Sequence, residues 1–185
     1  VNVGSLTYHF GSKSALLREI YEHNAASMNQ RRLELLGEAR RIHDLDDRLM
    51  AVLRAYVVPA FTSSSEHDGG GAEFTRMRAI LSAEGNEDAK EIIAGTFDAT
   101  SRAFLDAIAE CVPEADLEGL VWRSQFLLGA LYYALINPER ITRLSNGRVD
   151  GNDRESAVNQ VVEAAYVSFR SLANTGRQKR PDHAA

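Results

Sequence analysis

The residues best equipped for chemistry stand at the start of the chain. Thr7, Tyr8 and His9 are followed, after Phe10 and Gly11, by Ser12 and Lys13. Hydroxyls, an imidazole and an ammonium at this density suit phosphate oxygens, which position a protein on a duplex without reporting its sequence. Asn2 can cap a very short helix whose first turn is Val3, Gly4 and Ser5. Side chains this small let a backbone approach base edges in a major groove. Leu6 and Phe10, four residues apart, share the inward face. Lys13 falls in the first turn of the next helix, where its charge and the free backbone amides can both serve a phosphate.

Other constellations carry less. His9, His23, His43, His67 and His183 include no pair at metal-ligand spacing and no completing carboxylate cluster, so neither a metal nor a cofactor is expected. Gly69-Gly70-Gly71 is followed by Ala-Glu-Phe, without the lysine and hydroxyl of a phosphate loop, and reads as a hinge. Ser63, Ser64 and Ser65 lie beside His67 and Asp68, but adjacency in a loop is not the held geometry of a catalytic triad. A binding protein without catalysis is the favoured expectation. A small all-α enzyme or a truncated dimerisation protein is the alternative.

The elements that must position these residues read as helices throughout. Apolar residues recur at three- and four-residue steps, and no run alternates long enough to compete as a strand. A first helix over 12–41 carries Leu16, Leu17, Ile20, Tyr21, Asn24, Met28 and Leu35. A second starts near Asp44 and shows Leu49, Val52, Leu53, Tyr56 and Val57 before Pro59, which should kink or stop it. A loop over 62–72 precedes a short helix over 73–83, and a long helix from Glu87 stops at Pro113. Residues 114–137 are apolar almost all round and must be covered on more than one side. Pro138 ends that helix, 145–153 is a polar loop, and a last helix covers 154–172.

Charge and cysteine usage narrow the class. The 185 residues carry a formal charge of −5, yet residues 1–41 are +2 and the remainder −7, so DNA contact must be local and N-terminal. The single Cys111 excludes an internal disulfide and suits the cytoplasm. The longest uncharged apolar stretch falls short of the roughly 20 residues that span a membrane, so none is expected as a partner.

The order Tyr8-His9-Phe10, then Ser12-Lys13 and Leu16, resembles the TetR family of transcriptional regulators. There a short recognition helix ends in such an aromatic step and the next helix opens on Ser-Lys-x-x-Leu. The resemblance implies an all-α, TetR-like helical bundle, with 1–17 the end of a helix-turn-helix reader, 42–174 a ligand-binding and dimerisation domain, and 175–185 a disordered tail. Two net-basic amphipathic helices are expected to be encoded upstream of Val1.

The family likeness makes Ser5, Thr7, Tyr8, His9 and Lys13 DNA-contact candidates, with Val3 and Gly4 as base neighbours. Thr7 departs from the aromatic residue often found there. The implied function is that of a homodimeric repressor, released from double-stranded operator DNA by a small apolar or aromatic effector. Tyr56, Phe61, Met77, Arg78, Phe97, Phe104, Trp122, Phe126 and Tyr133 are the expected cavity lining. Arg78, Arg102 and Arg123 are the partners available to an effector carboxylate. Val121, Leu128, Leu131, Leu135, Val158, Val161, Val162, Ala165 and Phe169 are the expected dimer interface.

Overall fold

A computed structural model describes residues 13–62, 71–84 and 87–178, and every regular element among them is helical. The order is α1 (Lys13–Ala39), α2 (Leu45–Phe61), α3 (Ala72–Glu84), α4 (Glu87–Cys111), α5 (Leu117–Ile136), α6 (Pro138–Leu144) and α7 (Arg154–Gln178). Residues 1–12, which include Val3, Gly4, Ser5, Thr7, Tyr8 and His9, lie outside the described residues, as does the side chain of Lys13.

Local chemistry explains the helix boundaries. Asp44 caps α2 by accepting the amides of Asp46 and Asp47, both at 2.9 Å, and Asp116 caps α5 by accepting that of Gly119 at 2.8 Å. Pro59 sits in the last turn of α2, which runs on to Phe61 and ends where Thr62 becomes extended. Its ring is therefore tolerated beside an end. Pro138 does end α5, but it also opens α6, the first turn of a helix being where its missing amide costs nothing. The sequence reading left 138–144 without an element for want of that second role. The last helix also runs six residues past the expected Leu172, so 175–178 are helical and not tail.

The helices pack as a bundle in which α1 lies on α2 and α4, α2 lies on α7, and α5 is held between α3 and α7. A main core joins Leu49, Leu53 and Val57 of α2 to Ala107 and Ile108 of α4, Leu127 and Leu131 of α5, and Val162 and Phe169 of α7. A satellite core of Tyr21, Ala25, Met28, Phe74, Ile92 and Phe97 fills the space between α1, α3 and α4. The guanidinium of Arg76 ties α3 to the end of α5, its Nε donating to the Leu135 carbonyl at 2.9 Å.

The turn before α7 is held by a close approach. The Gly151 amide donates to Thr142 Oγ1 at 2.8 Å, and a Cβ there would overlap the Pro138 carbonyl. Gly151→Ala should therefore destabilise the protein by about 1–3 kcal/mol, as overpacking does. Urea unfolding would show it as a lower midpoint with an unchanged slope, and an unaltered midpoint would mean the turn yields freely.

Candidate functional site

The site grows from one stripe of α1. Tyr21, Ala25, Met28, Arg32, Leu36 and Ala39 follow at three- and four-residue steps and all face the body. Arg32 is thus a charged residue at a core register position, only 2% exposed. Its Nε donates to the Tyr56 carbonyl at 2.9 Å and its guanidinium lies 4.1 Å from the centre of the Tyr56 ring. Tyr56 in turn meets Phe104 edge to face, with centroids 5.1 Å apart. Burial pulls the Arg32 pKa down to about 10, which leaves it charged at neutral pH.

A second buried guanidinium completes the arrangement. Arg78 of α3, 5% exposed, lies 3.5 Å above the centre of Phe97 and 5.7 Å from that of Tyr132. Such contacts stabilise a cation by its attraction to the aromatic face. Phe74 links the pair to α1, stacked on Phe97 and edge to face with Tyr21 at 5.2 Å. The hydroxyls of Tyr21 and Thr75 and the Nε of Arg78 are buried without a hydrogen-bond partner, as is Asn29 Oδ1, while the buried Tyr132 hydroxyl lies beside that of Ser82. The Asn29 amide is used, donating to the Thr96 carbonyl at 2.8 Å. Burial raises the Tyr132 phenol, and it pushes Tyr21 up to about 12 against the opposing pull of Arg78.

Of the expected cavity lining, Tyr56, Phe61, Arg78, Phe97 and Phe104 are buried in the body and Met77 is partly buried. Trp122, Phe126 and Tyr133 are not there. They are 56%, 54% and 53% exposed on the outer face of α5, with Trp122 and Phe126 in ring contact at 5.8 Å. The expectation that they line an interior cavity is corrected accordingly. Arg123 sits over Phe126 on that outer side, and Arg102 is an exposed partner of Asp98. Among the three arginines weighed for an effector carboxylate, only Arg78 points inward.

The dimer residues are corrected in the opposite sense. Leu131, Leu135, Val158, Val161, Val162, Ala165 and Phe169 are buried within this one chain, and Leu128 is partly so, whereas Val121 is exposed. On α5 the inside and outside are thus exchanged relative to these expectations. The aliphatic stripe of Leu120, Leu127, Leu131 and Leu135 packs inward, and the aromatic one faces out. A helix apolar all round offers no polar face from which to tell them apart.

Two grooves flank these faces. One of about 370 Å³ runs between α5, α6 and α7, floored by Ala130, Ala134, Ala157, Val161 and Ala164. Another, of about 410 Å³, lies between α1 and α2, with Met28, Leu35, Ala55 and Val58 at its base and Arg31, Glu38 and Arg54 along its rim. Among the described residues there is no group of three or more histidine, cysteine or acidic side chains arranged to hold a metal ion, and no helix long and apolar enough to cross a membrane.

The sequence reading placed Tyr21 on the core face and named Arg78, but missed Arg32, Thr75 and Tyr132. The legible signal was an arginine four residues after Met28 on an otherwise apolar stripe.

Residues 54–166, more than half of the chain, match the family model described as the tetracyclin repressor-like C-terminal domain. The protein belongs to that family, whose C-terminal domain is the ligand-binding regulatory part of transcriptional regulators and not of enzymes. A comparison with curated proteins finds no match.

The buried phenol yields a test of the site's packing. A phenol whose pKa is raised from 10.0 to about 12 adds stability that is complete below pH 10 and lost as pH climbs through 12. Tyr21→Phe should therefore soften the fall in stability between pH 10 and 12, read from urea midpoints at successive pH values. Parallel curves for parent and variant would show that the phenol ionises as freely in the folded chain as in the unfolded one.

Proposed function

We propose that this protein is a homodimeric, DNA-binding transcriptional repressor whose grip on its operator is released by a small molecule bound inside each body. The observation that carries the reading is the placement of α1. This helix opens at Lys13, directly after the Tyr8-His9-Phe10 stretch that resembles a recognition helix, and it buries Tyr21 and Arg32 against α2, α3 and α4. A ligand that reshapes the surroundings of Arg78 and Phe97 displaces the packing partners of α1. The nearer, N-terminal end of the same helix follows the proposed DNA reader.

The coupling is reciprocal: operator must weaken ligand by the factor with which ligand weakens operator, commonly corresponding to about 1–3 kcal/mol. Val3, Gly4, Ser5, Thr7, Tyr8, His9 and Lys13 are the proposed reader, presented once per subunit to two half-sites.

The outer face of α5 is the proposed dimer surface. Trp122, Phe126, Tyr133 and Val121, with the exposed Val167 of α7, form an apolar face beside the small-residue groove of Ala130, Ala157 and Ala164. A two-fold axis places the aromatic ridge of one copy on the equivalent surface of the other, the self-complementary contact of an isologous dimer. Aromatic anchors in small-residue pockets are where binding energy concentrates.

Two measurements check these parts separately. Trp122→Asp should convert the dimer into a folded monomer at micromolar concentration by light scattering, whereas Val162→Asp should unfold it, because Val162 is in the core of the single chain. A Trp122→Asp protein that stays dimeric would move the interface elsewhere. On DNA selected from random duplexes by the full gene product, Lys13→Ala should weaken binding to all sequences alike and make the salt slope shallower by about one unit. An unchanged slope would remove Lys13 from the phosphate contacts.

A further inference from the structure

Every aspartate and glutamate whose side chain is described is exposed, while two arginines, Arg32 and Arg78, are buried in the interior that α1, α2, α3 and α4 enclose. Buried charges are ordinarily paired, since removing an ion from water is compensated only by an opposite charge and by hydrogen bonds. Arg32 has the Tyr56 carbonyl for its Nε. Arg78 has aromatic faces on the Phe97 and Tyr132 sides and no acceptor for its Nε.

The unpaired groups around Arg78 are matched in kind. Tyr21 and Thr75 each bring a buried hydroxyl without a partner, Tyr132 brings a buried hydroxyl beside Ser82, and each can donate. Arg78 and Thr75 lie three residues apart on α3 and so on one face of it. Tyr21 approaches from α1 with its ring against Phe74, and the Tyr132 ring of α5 lies beside Arg78. Neighbouring donors and a cation with no buried acid among the described residues call for an acceptor that carries negative charge.

The side chains packed around these groups are apolar: Phe74, Phe97, Ile92, and the partly buried Met77, Leu81 and Ile93. We infer that the molecule bound here is a carboxylate on an apolar body, its carboxylate on Arg78 and the hydroxyls of Tyr21, Thr75 and Tyr132, its hydrocarbon or aromatic part among these side chains. A single charge fits better than a phosphate, because a dianion would be stripped of more water in surroundings this apolar. The inference takes the site from the effector reading above and rests on it for the ligand's role, while the binding itself is measured independently of DNA.

The test is thermal unfolding of the whole chain with benzoate, phenylacetate, octanoate, the amide of each, and phenyl phosphate. A ligand selective for the folded state raises the unfolding temperature in a saturable manner. At least one carboxylate should do so and its amide should not. Arg78→Met should weaken that carboxylate about 30-fold or more, the loss seen when one partner of a buried charge pair is removed. Tyr132→Phe should weaken it about tenfold. Should Arg78→Met not fold, Tyr132→Phe and Thr75→Val carry the same comparison.

Equal binding of acid and amide, equal binding by parent and variants, or no stabilisation by any carboxylate would overturn the inference, and preference for phenyl phosphate would overturn the carboxylate class. A carboxylate that binds through Arg78 without changing operator affinity would uphold the site and instead remove the effector reading.

Discussion

Arg32 fastens the first helix to the body through the Tyr56 carbonyl and the face of the Tyr56 ring, and the remaining packing depends on that junction. Tyr56 is positioned by Phe104 behind it, so the guanidinium touches α2 directly and α4 at one remove. The same stripe of α1 carries Tyr21 into the satellite core against Phe74. One helix is thus a wall of two adjoining clusters, one closed by Arg32 and the other left with unpaired donors around Arg78. Packed interiors respond to a new occupant by switching between discrete arrangements more readily than by deforming smoothly. A helix that carries a buried charged side chain in such a place is well suited to transmit that response.

The two faces of α5 divide the work of the domain. Its leucine stripe closes the main core beside α7, and its aromatic stripe is left on the surface. Trp122 and Tyr133 carry polar tips and can stand in water when alone, yet supply large rigid contact area when covered. Small residues on α5 and α7 beside them keep the surface grooved. Interior and outer surface therefore meet in one helix, where Tyr132 on the inward side is followed by Tyr133 on the outer one.

Periodicity made the helical class and most boundaries legible, since three- and four-residue steps persist over most of the chain. Asp44 and Asp116, as caps, resolve what periodicity alone leaves loose. Pro138 was read only as a terminator, because a proline does not disclose whether a further helix follows it. The orientation of α5 could not be read: with apolar residues on every side, its choice of Leu131 over Trp122 for the core is made by packing against α3, α4 and α7, information outside the segment itself. For the site, the aromatic members were visible as types, and Arg78 was visible as a charge among them. Arg32 was hidden by the ordinary expectation that arginine on a long helix faces solvent.

The central claim is that filling the Arg78 site moves α1. Spin labels at Glu22→Cys, an exposed position on α1, would report the distance between the two copies of that helix in the proposed dimer, and Cys111 is buried with its thiol pushed up by burial, so it stays unlabelled. Pulsed electron resonance with a carboxylate shown to saturate the protein should reveal a change of more than about 2 Å in the peak distance, beyond an ordinary interface adjustment. An identical distance distribution with and without that bound carboxylate would contradict the account.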